Sequence, residues 1–85
     1  MKERNKMKLE LYKFDGCPYC QRVMRAIQQS GRTDVEYHDI QKNPEDYRRL
    51  LEVGGIDQAP CLFIDGKPLY ESADIIAWLA AHPQE

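Results

Sequence analysis

Cys17-Pro18-Tyr19-Cys20 sets two thiols two residues apart, behind a short apolar run and at the start of a predicted helix. Such a pair can close into a small disulfide and reopen, carrying two electrons. Position adds to spacing. A cysteine at a helix N-terminus faces unpaired backbone N–H groups and the positive end of the helix dipole, which favour thiolate over thiol. Cys17 therefore reads as the nucleophile and Cys20 as its resolving partner. The plain alternative is a zinc half-site, but Cys17, Cys20 and Cys61 have no evident fourth ligand, so no metal is expected. Cys61 follows Pro60 in an apolar run and reads as a buried, inert thiol. His38 and His82 have no ligand partner at metal spacing and read as surface residues.

The elements around the pair follow from periodicity and punctuation. Lys8 to Phe14 reads as a first strand, broken by Asp15-Gly16. A helix is predicted from Pro18 to Ser30, with proline in its first turn, an apolar stripe of Cys20, Val23 and Ile27, and Gly31 at its end. Val35 to Ile40 alternates as a second strand. Asn43-Pro44 opens a second helix through Tyr47, Leu50 and Leu51 that stops at Gly54-Gly55. Pro60 to Ile64 is a continuous apolar run, Asp65-Gly66 a tight turn, and Lys67 to Tyr70 the returning strand. Ser72 is the expected N-cap of a last helix that carries Ile75, Ile76, Trp78 and Leu79 and ends at His82-Pro83. The order βαβαββα demands a parallel first pair and an antiparallel hairpin, hence a four-stranded mixed sheet with helices on its faces. A close cysteine pair after the first strand of such a unit reads as thioredoxin-like.

Eighty-five residues, 42% hydrophobic, suffice for one modest core. Residues 1–7 are expected as a flexible tail and 8–85 as the domain. A net charge of −2 with scattered basic residues leaves no footprint for nucleic acid. No run approaches transmembrane length and the charged start has no apolar segment behind it, so a cytoplasmic location without membrane contact is expected. Three cysteines in that compartment do not make a structural disulfide framework.

Cys17-Pro18-Tyr19-Cys20, Ala59-Pro60, Asp65-Gly66 and Ser72 to Asp74, in this order, resemble a dithiol glutaredoxin over nearly the whole chain. Leu69 to Ile75 resembles instead the Glu-Ser signature of the glutathione S-transferase N-terminal domain, with Tyr70-Glu71 where glutaredoxins usually carry Gly-Gly. The resemblance implies a cis peptide bond before Pro60, opposite the cysteines. The backbone of Ala59 would then hold the cysteinyl part of glutathione as an added strand. It places Ser72 and Asp74 at the γ-glutamyl end, where helix N–H groups suit a carboxylate and an aspartate suits an ammonium, and counts Glu71 among the glutathione-binding residues. Tyr19 lines the groove, and Lys13, Arg22 and Gln58 are candidates for the glycine carboxylate. The implied function is reduction of protein–glutathione mixed disulfides and protein disulfides. Glutathione is then a co-substrate, no cofactor is bound, and glutathionylated or disulfide-bearing proteins are the partners of a monomer. Glutaredoxins sit at roughly −200 to −230 mV, which suits reduction by glutathione. Two alternatives share the fold. One is an electron donor fed by thioredoxin reductase, like the small glutaredoxin-like donors to ribonucleotide reductase. The other is a carrier of a 2Fe–2S cluster between two protomers, against which Pro18 weighs. Transferase conjugation is expected to be the weaker use, since that branch forms its electrophile site in a helical C-terminal domain.

Overall fold

The structure, a computed structural model, describes residues 7–84. Of the expected N-terminal tail only Met7, which is exposed, lies within the described residues. The elements run β1 (Leu9–Lys13), α1 (Pro18–Ser30), β2 (Val35–Asp39), α2 (Pro44–Arg49), β3 (Cys61–Ile64), β4 (Lys67–Tyr70) and α3 (Ser72–Ala81). The sheet order is β2-β1-β3-β4, with β1 parallel to β2 and antiparallel to β3, and β3 antiparallel to β4. This is the four-stranded mixed sheet that the element order demands.

Alternation along β1 divides its side chains between two cores. Leu9 and Leu11 join Leu62 of β3, Val23 and Ile27 of α1, and Ile75 and Leu79 of α3 on one face. Tyr12 joins Cys61, Phe63 and Leu50 on the other. The central strands are thus covered from both sides, which fixes the end of β1 and the start of β3 against each other. It is at that junction that the cysteine pair emerges.

Helix α1 has the predicted ends. Pro18 occupies the first turn, and Gly31 stops the helix in the left-handed region at φ 78°, donating its N–H to Gln28. Helix α2 begins as predicted, the Asn43 side chain accepting from Glu45 N–H. Its last turn differs: Leu50–Gly54 widens into a π-helical turn before Gly55 ends it at φ 81°. Leu50 is buried there, and a Cβ on Gly54 would collide with the Tyr70 hydroxyl, so any larger residue would have to displace that ring. Asp65 and Gly66, both at positive φ, make the β3–β4 turn.

Ser72 is not the N-cap of α3. Glu71 occupies that position at φ 77°, its carbonyl accepting from Ile75 N–H at 3.0 Å, and Ser72 is the first helical residue. The chain turns out of β4 in a single residue, so the helix starts one place earlier than the serine suggests.

Candidate active site

The segment from β1 to α1 is tethered before the first cysteine. The Asp15 carboxylate meets Lys13 at 3.0 Å and Lys42 at 3.1 Å, while its carbonyl accepts from the Gln21 side chain at 2.8 Å. Cys17 N–H donates to Phe14 O at 3.2 Å, closing the turn. Cys17 is then the N-cap of α1, extended at φ −92° and ψ 112°, and its Sγ accepts the Cys20 backbone N–H at 3.1 Å. An N–H aimed at sulfur from a helix N-terminus is the contact a thiolate accepts.

Across the junction the Ala59–Pro60 bond is cis, as the resemblance implies, and the Ala59 carbonyl lies 3.8 Å from Cys17 Sγ. The Ala59 N–H has no backbone partner among the described residues. All three cysteines are free thiols, and only Cys17 keeps any exposure, 4% against 0% for Cys20 and Cys61. Burial is the main force holding the Cys20 thiol well above the usual range, followed by its hydrogen bond with Cys17. Cys20 is therefore a thiol at neutral pH. Burial likewise pushes Cys61 up to about 11.

Gln58, just before this junction, donates from Nε2 to Glu71 Oε2 at 3.5 Å and so links it to the start of α3. Ser72 is buried and Asp74 is exposed in the first turn of that helix. Tyr19 is 59% exposed on the first turn of α1, with the Arg22 guanidinium 5.9 Å from its ring. The structure therefore joins Cys17, Cys20, Ala59 and Pro60 in one place, with Gln58 and Glu71 linked beside them. Lys13 is committed elsewhere: it pairs with Asp15 and, at 3.4 Å, with Asp39, which removes it as a free cation for a glycine carboxylate.

His38 also departs from expectation. Its side chain is only 22% exposed, stacked on Tyr12 at 4.8 Å, with carboxylates of Glu10, Glu36 and Asp46 around its ring nitrogens. The period-two pattern puts Glu36 and His38 on one face, but only the parallel register beside Glu10 and Tyr12 brings the cluster together. His82 is exposed, as expected, and stacks on Trp78.

Residues 11–85 match the family described as glutathione S-transferase, N-terminal domain. The chain belongs to this family. As a transferase N-terminal domain it has the thioredoxin-like fold, and solved structures of two kinds resemble it. Glutathione transferase Omega 3C from Trametes versicolor superposes with a TM-score of 0.74 at 25% identity, over 87% of this chain and 33% of that one. Glutathione transferase E6 from Drosophila melanogaster gives 0.68 at 30% identity, over 87% and 34%. A wheat glutaredoxin gives 0.67 at 25% identity, over 87% and 71%. The chain thus spans about a third of the length of these transferases. No curated protein matches. No helix among the described residues is long and apolar enough to cross a membrane.

Proposed function

We propose that this domain is a glutathione-dependent thiol–disulfide oxidoreductase of the glutaredoxin type, acting through Cys17 with Cys20 as resolving thiol. One observation carries the reading. Cys17 Sγ receives a helix N-terminal N–H and faces the Ala59 backbone, while the second thiol is sealed and protonated beside it. The transferase and glutaredoxin relatives support glutathione as the co-substrate.

In the glutathionylated-protein reaction, Cys17 thiolate attacks the glutathione sulfur of the mixed disulfide. The new bond joins Cys17 to glutathione, and the old bond breaks to release the protein thiolate, which takes a proton from water. A second glutathione thiolate then attacks the bound glutathione sulfur, forming glutathione disulfide and freeing Cys17. With a protein disulfide, Cys17 first joins one protein sulfur. Cys20 then gives up its proton and attacks Cys17, leaving the intramolecular disulfide and a reduced protein. The buried, protonated Cys20 explains why attack begins at Cys17. Ala59 backbone groups hold the cysteinyl part of glutathione, Ser72, Glu71 and Asp74 its γ-glutamyl end, and Tyr19, Gln58 and Arg22 flank the rest. The domain 8–85 would work as a monomer in a reducing compartment such as the cytoplasm.

The test is a glutathione–disulfide exchange assay on a small glutathionylated substrate and on a protein disulfide. Cys17→Ser is expected to abolish both activities. Cys20→Ser is expected to spare the first and lower the second at least tenfold. Full activity in Cys17→Ser would end the proposal.

A further inference from the structure

Tyr70 stands where the sequence departs from the glutaredoxin pattern, and the thiol chemistry gives it no part. We propose that Tyr70 is a positioning residue for glutathione: its hydroxyl holds residues 56–60 so that the Ala59 backbone meets the ligand in a fixed place. This role rests on the function proposed above and adds a determinant of its glutathione affinity.

Residues 56–60 are irregular chain between Gly55, which ends the π-helical turn, and Cys61, the first residue of β3. Ile56 is exposed, so its side chain does little to anchor the segment. Irregular chain of this kind keeps its shape through the partners that its polar groups find. Here three consecutive residues are each tied to a different element. The Ile56 carbonyl accepts from the Tyr70 hydroxyl of β4 at 3.0 Å, and also from Gln58 N–H at 2.9 Å. The Asp57 carboxylate accepts from the Tyr47 hydroxyl of α2 at 2.9 Å. Gln58 reaches Glu71, at the start of α3, at 3.5 Å.

Tyr70 spans this strap from end to end. In the β3–β4 ladder it pairs with Cys61, the residue after Pro60, while its hydroxyl bonds Ile56, the residue after Gly55. Its ring packs against the core of Tyr12, Leu50, Cys61 and Phe63, which fixes where the hydroxyl sits. Gly54 leaves room for that hydroxyl, since a Cβ there would meet it. Between the two held ends, the Ala59 N–H has no backbone partner among the described residues, and the Ala59 carbonyl lies 3.8 Å from Cys17 Sγ. A ligand that pairs with Ala59 as an added strand therefore meets a strap already in shape, and little affinity is lost to ordering it.

The alternative is a ring that only fills the core. Tyr70→Phe keeps the ring and removes the hydroxyl, and two rates at Cys17 then separate the readings. One is kcat/KM for reduction of a small glutathionylated peptide, which needs Ala59 to hold glutathione. The other is alkylation of Cys17 by iodoacetamide in the free chain, which does not. Tyr70→Phe is expected to lower the first about fivefold, as loss of one hydrogen bond does, and to leave the second and its pH profile unchanged. Gly54→Ala, which displaces the hydroxyl, should lower the first rate similarly and add little in the Tyr70→Phe background. An equal fall in both rates would make the role merely structural and overturn it. So would a Tyr70→Phe chain that reduces the peptide as fast as an active wild type. A wild-type chain alkylated at Cys17 but inert toward the peptide would instead bring down the functional reading, and this role with it.

Discussion

At the residue scale, the two cysteines of the pair differ in surroundings more than in chemistry. Both are buried, but Cys17 keeps a trace of exposure with a helix N–H and a carbonyl at its sulfur, whereas Cys20 is fully covered and burial pushes its thiol up. The same division between local pattern and surroundings governs Glu71. The sequence marks it as a departure from Gly-Gly and as part of a Glu-Ser signature, and the structure places it at φ 77°, where a side chain is strained by about 1 kcal/mol or more. The hydrogen bond that its side chain accepts from Gln58, at 3.5 Å, is too long to offset that strain. Glu71→Gly is expected to raise stability by about 1 kcal/mol in urea denaturation. On the proposed role of Glu71 at the γ-glutamyl end, the same variant should bind glutathione more weakly. An unchanged unfolding midpoint would mean that the backbone turn is not strained.

Elements are where the sequence was most legible. Helix α1 and the β3–β4 hairpin follow from Pro18, Gly31 and Asp65-Gly66, because caps and turns are local. The π-helical turn at Leu50–Gly54 was not legible, since it depends on Tyr70 crossing Gly54 from another strand. Nor was the anchoring of α3, which rests on a residue fifty positions away in sequence. Arg32, its side chain 5% exposed, grips Asp34 with two bonds of 2.8 and 3.0 Å. It also donates to the Leu79 and His82 carbonyls at 2.9 and 3.1 Å, closing the C-terminal end of the helix. Arg32→Ala is expected to lose about 2 kcal/mol, and Arg32→Lys to recover little, because the planar fork is gone. Equilibrium unfolding of both variants checks this, and full rescue by lysine would show that charge alone suffices.

For the whole molecule, the fold class and the pairing of Cys17 with the Ala59-Pro60 junction could be read from motifs and their order. The Glu10–His38 cluster could not, because register between β1 and β2 creates it. Burial of several acids on both sheet faces also gives the molecule a collective alkaline weakness. Burial raises Cys61 from 9.0 to about 11, Tyr70 from 10.0 to about 12, and Cys20 in the same direction. The unfolded chain loses these protons first. Their stabilising contribution is therefore full below pH of about 9 and falls away as pH rises through about 11. Urea midpoints should drop steadily across that window, with a shallower slope in Cys61→Ala. A flat profile would contradict the burial of these groups. The central claim, that Cys17 is the sulfur that takes glutathione, is tested most directly by mass-mapped glutathione adducts. Cys20→Ser protein is incubated with glutathione disulfide and its peptides are weighed. The account predicts one glutathione, on Cys17; an adduct on Cys61 alone, or none, would contradict it.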